Sequence, residues 1–305
     1  MNQPRLEDAP VTESSAKLVG SLRGVFGESA IWSEADRGIW WVDMHGHSIT
    51  LTTPEGQSRF WKTPGPELPW ARAVALREGG GLIAALSDRL YGFDPTTGVF
   101  SDLEIALSLP KGHLFNDATI DAAGRLIIGT MLPGRGNDGK ACFYQIDSDH
   151  RVVLLCEGFN TTNGLAFSPD GKTLYFSDSF ADVRQVWAAD YDPVNGAMAT
   201  PRLFIDFTHL PGKPDGAAVD SSGGYWIAAM ASPYLHRFTP GGELDFSLSL
   251  PVDSPTRPCF GGTGMPAIYL TTGGLKAGEV DDGLKGGLLA IKSKFTGCPT
   301  NFARL

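Results

Sequence analysis

The chain of 305 residues shows no sustained 3.6-residue apolar period, so helix content should be low. No apolar run approaches the roughly 18 residues that a membrane helix needs. The motifs G-x-S-x-G, H-E-x-x-H and G-x-x-x-x-G-K-[ST] do not occur. The glycines of the stretch Gly261 to Gly264 sit between apparent strands, not before a helix, so they read as no dinucleotide site. An excess of basic residues is also missing. Lys and Arg number 25 against 34 Asp and Glu, a net charge of −9, which argues against nucleic acid or an anionic membrane surface as partner. Only four cysteines occur (Cys142, Cys156, Cys259 and Cys298), and none forms a C-x-x-C pair. They read as free thiols of a reducing compartment. The opening run MNQPRLEDAPVTESS has no apolar core and carries acids, unlike a signal peptide, so a cytoplasmic location is expected.

What is abundant is turn chemistry: 38 glycines and 21 prolines. Between the turns, one pattern recurs six times at intervals of about 40–50 residues: a polar slot, a short apolar strand, a turn, a second apolar strand. The copies are ESAIWSEADRGIWWVDM from Glu28, RAVALREGGGLIAAL from Arg72 and NDATIDAAGRLIIGTM from Asn116. NGLAFSPDGKTLYFSDS follows from Asn163, DGAAVDSSGGYWIAAM from Asp215, and a looser RPCFGGTGMPAIYLTT from Arg257. Such a period with strand content predicts an all-β, six-bladed β-propeller of four-stranded antiparallel blades. Blades bury their faces only against one another, so residues 17–305 should form a single domain. Residues 1–16 are polar and read as a disordered tail, and the stretch Ala16 to Arg23 could add an outer strand to the last blade and close the ring.

Equivalent positions of radially arranged blades face one axis. The slots Glu28, Asn116, Asn163 and Asp215 should therefore converge, and two carboxylates with two amides suit a divalent cation: Ca²⁺ first, with Mg²⁺ and Mn²⁺ accommodated by the same oxygens and Zn²⁺ or Fe²⁺ not excluded. An ion on the axis can also be purely structural. Asn-Gly and Asp-Gly pairs are ordinary turn dipeptides as well, and Asp170 in SPDGK is one such turn; shared phase in the repeat is what separates the slots from it. Loops that leave the second strands lie on the slot side and should build the pocket: Met44 to Ser48, Ser87 to Arg89, Met131 to Ala141, Asp178 to Gln185, Met230 to Tyr234 and Thr271 to Gly287, with the connections TPGPELPW and LPKGHLF. Arg72, in the second slot, reads either as an anchor for an anion or hydroxyl or as a salt bridge closing the axis. Trp70, His113, Met131, Arg135 and Tyr234 are candidate pocket walls, and Asp117 a further substrate contact. His45-Gly46-His47 has metal-like spacing but no third ligand nearby, so it reads as a hairpin turn. Trp40 and Trp41 alternate on one strand, one expected in the blade core and the other against the neighbouring blade.

At these residues the chain resembles the senescence-marker-protein, regucalcin and gluconolactonase family of six-bladed propellers. The resemblance rests on Gly27-Glu28-Ser29, Phe115-Asn116-Asp117, Gly129-Thr130-Met131, Thr162-Asn163-Gly164-Leu165, Pro214-Asp215-Gly216 and Pro255-Thr256-Arg257-Pro258, in that order along nearly the whole chain. It implies a divalent ion held by Glu28, Asn163 and Asp215, with Asn116 on the ion or the substrate, and hydrolysis of a small-molecule lactone with Asp215 as the base. One departure stands out. Sugar lactonases of this family often carry Arg two residues before the third-blade Asn, whereas this chain has Leu114. A phosphotriesterase-like hydrolase and a non-catalytic calcium-binding or scaffold propeller are the alternatives. The expected assembly is a monomer or weak homo-oligomer.

Overall fold

Apolar strands joined by tight turns close into six sheets around one axis in the computed structural model, which describes residues 3–65, 70–134, 137–275 and 283–305. Each sheet is one blade and runs outward from the axis. Blade 1 comprises Gly27–Ser33, Gly38–Asp43, Ser48–Thr52 and Ser58–Lys62. Blade 2 comprises Ala71–Leu76, Leu82–Leu86, Arg89–Asp94 and Val99–Asp102. Blade 3 is Leu114–Ile120, Leu126–Met131, Ala141–Ile146 and Val152–Phe159; blade 4 is Thr162–Phe167, Thr173–Asp178, Gln185–Asp190 and Arg202–Asp206. Blade 5 is Lys213–Val219, Tyr225–Met230, Tyr234–Phe238 and Leu244–Ser249. Blade 6 takes three strands from the far end of the chain, Pro255–Gly261, Ala267–Thr272 and Leu288–Lys292, and its outer strand Lys17–Leu18 from the near end. The expected seam is thus present: the two ends of the chain share one blade.

Within the stretch 1–16, expected as a disordered tail, the described residues include one strand. Val11–Glu13 adds a fifth strand to blade 5, parallel to Leu244–Ser249, with Val11 opposite Ser247. An exposed sheet edge offers unpaired N–H and C=O groups, and a polar segment tethered nearby can satisfy them. At the opposite end, the segment 296–305 runs beneath the propeller. Ser221 N–H donates to Thr296 O at 2.8 Å, Thr300 Oγ1 to Trp32 O at 3.0 Å, Ala303 N–H to Leu76 O at 2.7 Å and Arg304 N–H to Gly124 O at 2.9 Å. The strap therefore joins the bottom turns of blades 5, 1, 2 and 3. Among the described residues no helix is long and apolar enough to cross a membrane.

The core lies between blades, not within one compact centre. Trp40 packs with Val74, Leu82, Tyr91 and Phe93 of blade 2, while Trp41 packs with Cys259, Tyr269 and Leu288 of blade 6. Both tryptophans face a neighbour, because a blade inside a ring has two buried faces. That explains inner strands apolar on both sides, such as Ala71–Leu76, buried at every position. Each large apolar side chain so buried contributes about 1.5–3 kcal/mol.

One buried polar group has a cost that depends on pH. The ring of His236 sits fully buried, edge-on to Phe207 and Phe238 and stacked on Tyr234 at 5.7 Å. Its Nδ1 lies 2.7 Å from Ser247 Oγ, while Nε2 has no hydrogen-bond partner. Burial lowers its pKa from 6.5 to about 3. Between those values the unfolded chain binds a proton that the folded chain refuses. This contribution to stability is thus complete above pH 6.5 and declines as pH falls toward 3. Urea melts at neutral and mildly acidic pH should show this decline, and His236→Gln should flatten it; an unchanged slope in the variant would refute the assignment.

Candidate metal and substrate site

The same backbone irregularity occurs at all six slots. In every blade the pairing of the first and second strands shifts register at the slot: between Glu28 and Ile31, Ala71 and Ala73, Phe115 and Ala118, Asn163 and Ala166, Pro214 and Ala217, and Pro255 and Pro258. A bulge bends the strand and re-aims the side chain that it carries. The repeated bulges turn five of the six slot side chains toward one point. The backbone pays for this locally: Ser29 adopts φ 55° and Gly164 φ 67°. Gly164 also has no room for a side chain, since a Cβ there would come 2.7 Å from the Tyr225 hydroxyl, which donates to Gly164 O at 2.8 Å.

Five slot residues meet. Arg72 Nε donates to Phe115 O at 2.8 Å, and its Nη2 reaches Asn116 Oδ1 and, at 2.8 Å, Met131 Sδ. Asn116 Nδ2 donates to Asn163 Oδ1 at 3.0 Å. Asn163 Nδ2 donates to Asp215 Oδ1 at 2.7 Å and to Ser179 Oγ at 2.8 Å. The carboxyl groups of Asp215 and Glu28 lie close enough to share a hydrogen bond, and Glu28 and Asp215 both act electrostatically on Arg72. Arg72, Asn163 and Asp215 are buried, while Glu28 and Asn116 keep part of their surface open.

Blade 6 differs: its register shift matches that of blades 3 and 5, so Thr256 holds the slot, and Arg257, expected there, stands level with Asp117 and Gly216. Arg257 dips below the ring and pairs with Asp117 across the axis, from blade 6 to blade 3. Gly216 makes room for it, because a Cβ there would meet Arg257 Cδ at 2.5 Å. Asp117 also accepts the N–H groups of Leu165 at 2.9 Å and Ala118 at 2.7 Å. Its carboxylate is fully committed within the protein, so the expectation of Asp117 as a substrate contact is corrected. Arg257 and Asp117 form a second polar layer under the first.

Of the other expected pocket walls, the structure brings Trp70 and Met131 to the ring. The Arg72 guanidinium lies 5.8 Å from the Trp70 ring centre. Tyr234 instead packs into the cluster between blades 4 and 5, and His113 is buried with its Nδ1 3.4 Å from Lys111 O. Neither is joined to the ring by a contact. The loop His45-Gly46-His47 is a hairpin turn organised by Asp43, whose Oδ1 accepts Gly46 N–H at 2.9 Å. Arg135, and the stretches 66–69, 135–136 and 276–282 within the loops expected near the slot, lie outside the described residues. Ser179 is a partner that sequence reading missed; it follows Asp178 at the end of a second strand, which is where slot-side loops begin.

Electrostatics decide what this ring can hold. Burial raises Glu28 from 4.5 to about 7, and burial together with the neighbouring Glu28 raises Asp215 well above the usual carboxylate range. Burial lowers Arg72 to about 10, against the opposing pull of the two acids. Two desolvated carboxyls beside one guanidinium lack compensating positive charge. Among the described residues no three His, Cys, Asp or Glu side chains gather as a metal cluster. The donor set is instead two carboxyls and two amides, with the Ser179 hydroxyl adjacent. All are hard oxygen donors once the amides rotate, and this fits a divalent cation of the Ca²⁺ or Mg²⁺ type. The other mouth of the axis differs in kind. It is a funnel of about 400 Å³ lined by Ala30, Ala75, Ala118, Ala166 and Ala217, with strap residues at its rim and no carboxyl pair.

Fold and site together define a six-bladed propeller with a polar, charge-deficient ring across one axial mouth. The chain belongs to the SMP-30/Gluconolactonase/LRE-like region family, whose model matches residues 26–274. It is similar to the 6-deoxy-6-sulfogluconolactonase of Pseudomonas putida, with 31% identity over 92% of this chain and 96% of the relative. It is also similar to the L-arabinolactonase of Azospirillum brasilense, with 29% identity over 93% of this chain and 94% of the relative. Among solved structures, a calcium-binding protein, regucalcin, from Agrobacterium tumefaciens superposes with a TM-score of 0.86, covering 97% of this chain and 100% of that chain at 23% identity. That last likeness bears on the fold.

Replacing Asp117 by Asn tests the lower layer. Arg257 would be left buried without its countercharge, and its Nε already lacks a partner. The expected loss is about 3–5 kcal/mol in chemical denaturation. A loss below 1 kcal/mol would show that the cross-axis pair does not hold the blades.

Proposed function

We propose that this chain is a hydrolase that opens a lactone ring at the slot-side mouth of the axis, on a sugar-derived or related small lactone. The observation that carries the reading is the pair of carboxyls, half-buried Glu28 and buried Asp215, brought together from blades 1 and 5 beside two amides. A structural scaffold has no use for uncompensated acids on its axis. The named lactonase relatives support the same reaction class.

Glu28, Asn163 and Asp215 would hold a divalent cation, with Asn116 on the cation or on the substrate. When bound, such an ion supplies polarisation of the ester carbonyl and a lowered pKa for water. Positive charge at the ring also returns both acids to their ionised forms. In its ionised form Asp215 would accept the proton of an attacking water. General-base action of this kind contributes on the order of 10²–10⁴-fold. Without an ion, Asn163 holds Asp215 through the 2.7 Å hydrogen bond to Oδ1. Arg72 holds Asn116 in place and keeps a cationic edge at the ring.

A panel of aldonolactones, followed by acid release with and without chelator, tests the proposal. Turnover should vanish with chelator and return on adding Ca²⁺, Mg²⁺ or Mn²⁺. Asp215→Ala should lower turnover by at least about 10²-fold while circular dichroism stays unchanged. Turnover indifferent to chelator would overturn the metal assignment, and full activity in the variant would overturn the base. A non-catalytic calcium-binding propeller is the reading left if no lactone reacts but the ion still binds; the burial of Asn163 and Asp215 favours it over any scaffold without an ion.

A further inference from the structure

The bulges leave the strand regular on the side preceding each slot, so the residue two positions earlier points to the same face as the slot residue. Lys213 opposite Met230 in blade 5 and Leu114 opposite Met131 in blade 3 are equivalent positions of this kind. The six blades therefore build a second ring above the first: Phe26, Trp70, Leu114, Thr161, Lys213 and Ser254. Contacts agree with this placement. Trp70 lies over Arg72, two residues on, and Lys213 acts electrostatically on Asp215, two residues on. Five of these six residues are half-buried, as a pocket wall should be, and Ser254 is buried.

The upper ring is lopsided. Phe26 and Trp70 each pack edge-on against His45, at 5.6 and 5.7 Å, forming an aromatic wall over blades 1 and 2. Leu114 continues that wall on blade 3. Across the axis, on blade 5, stands the ring's only charge, Lys213. Among the described residues no carboxylate lies within ion-pairing distance of it. Thr161 offers a hydroxyl, and that of Ser254 is buried and already donates to Asp253 Oδ1 at 2.9 Å. A wall like this has few groups with which to hold a neutral polyhydroxylated ring. With a divalent cation bound, that cation and Arg72 already outweigh Glu28 and Asp215, and Lys213 adds a further positive charge at the entrance.

We propose that Lys213 is a specificity residue that selects lactones bearing a second, anionic substituent, a sulfonate, phosphate or carboxylate held at blade 5 while the lactone ring leans on Trp70. This rests on the lactone-hydrolase reading above and deepens it. A lysine acts as a compact point charge and accepts any of the three anions.

The test compares kcat/KM for a neutral aldonolactone with that for lactones of matched ring carrying a 6-sulfonate, a 6-phosphate or a 6-carboxylate. The wild type should favour at least one acidic lactone by about tenfold or more. Its KM for the acidic substrate should rise with salt more than for the neutral one. Lys213→Met should cut the acidic-to-neutral ratio by about tenfold, and Lys213→Arg should restore most of it. A wild type preferring neutral lactones, or a ratio unmoved in Lys213→Met, would overturn the inference. So would an equal loss on both substrate types with a shifted pH profile, which would mean that Lys213 serves only to tune Asp215. Calorimetric binding of sorbitol 6-phosphate against sorbitol separates the two proposals. If no lactone of either charge reacts, Lys213-dependent binding of the phosphate alone sustains the anion site while the hydrolase reading falls; no such preference ends both.

Discussion

Two carboxyl groups forced together out of water set the terms for the rest of this molecule. Glu28 and Asp215 come from blades 1 and 5, burial raises the energy of both charges, and Glu28 raises that of Asp215 further. Nothing within one blade could hold them there. The closed ring of six inner strands does so, with each strand packed against the next and the last against the first. The apolar surfaces between blades supply the free energy that offsets this crowding. The outer strand Lys17–Leu18 keeps the circle shut. The site is thus a local instability maintained by global packing, the usual relation between a strained functional centre and its scaffold.

Charge is arranged in layers along the axis. The lowest is the neutral pair Asp117 and Arg257. Above it lies a layer with two acids and one guanidinium, short of positive charge. The uppermost is an apolar wall with a single amine. Each layer comes from the same position in the six repeats, offset along the inner strand. The pleat of the strand therefore converts a step of two residues in sequence into a step in depth.

Much of this architecture was legible in the sequence. The repeat period and the turns at EADRG, DAAG and DSSGG identify the blades, and the phase of Glu28, Asn116, Asn163 and Asp215 identifies the ring. These signals survive because a blade cannot change its period without losing its neighbour. The bulges were not legible. A register shift depends on which backbone groups pair, and apolar alternation alone does not record it. Hence Asp117, adjacent to a slot, appeared to be a substrate contact, when the extra residue at the bulge sends its carboxylate downward to Arg257. Long-range partners were equally hidden: nothing near Val11 shows that it pairs with Ser247. Tyr234 and His113 were placed by loop position, but an aromatic ring near a loop is often drawn into the adjoining blade interface, as Tyr234 is.

The salt bridge between Asp117 and Arg257 also governs traffic. It spans the bore where a propeller might otherwise be open from end to end, and Arg257 Nη2 lies 3.4 Å from Leu165 O, which narrows the passage further. The tunnel becomes a cul-de-sac. Whatever enters by the polar mouth must leave by it, so under the proposed reaction reactant and product would compete for a single doorway. A compound lodged in the alanine-lined funnel beneath has no direct route to the chemistry. Were it to affect turnover, it would do so by pressing on the blades.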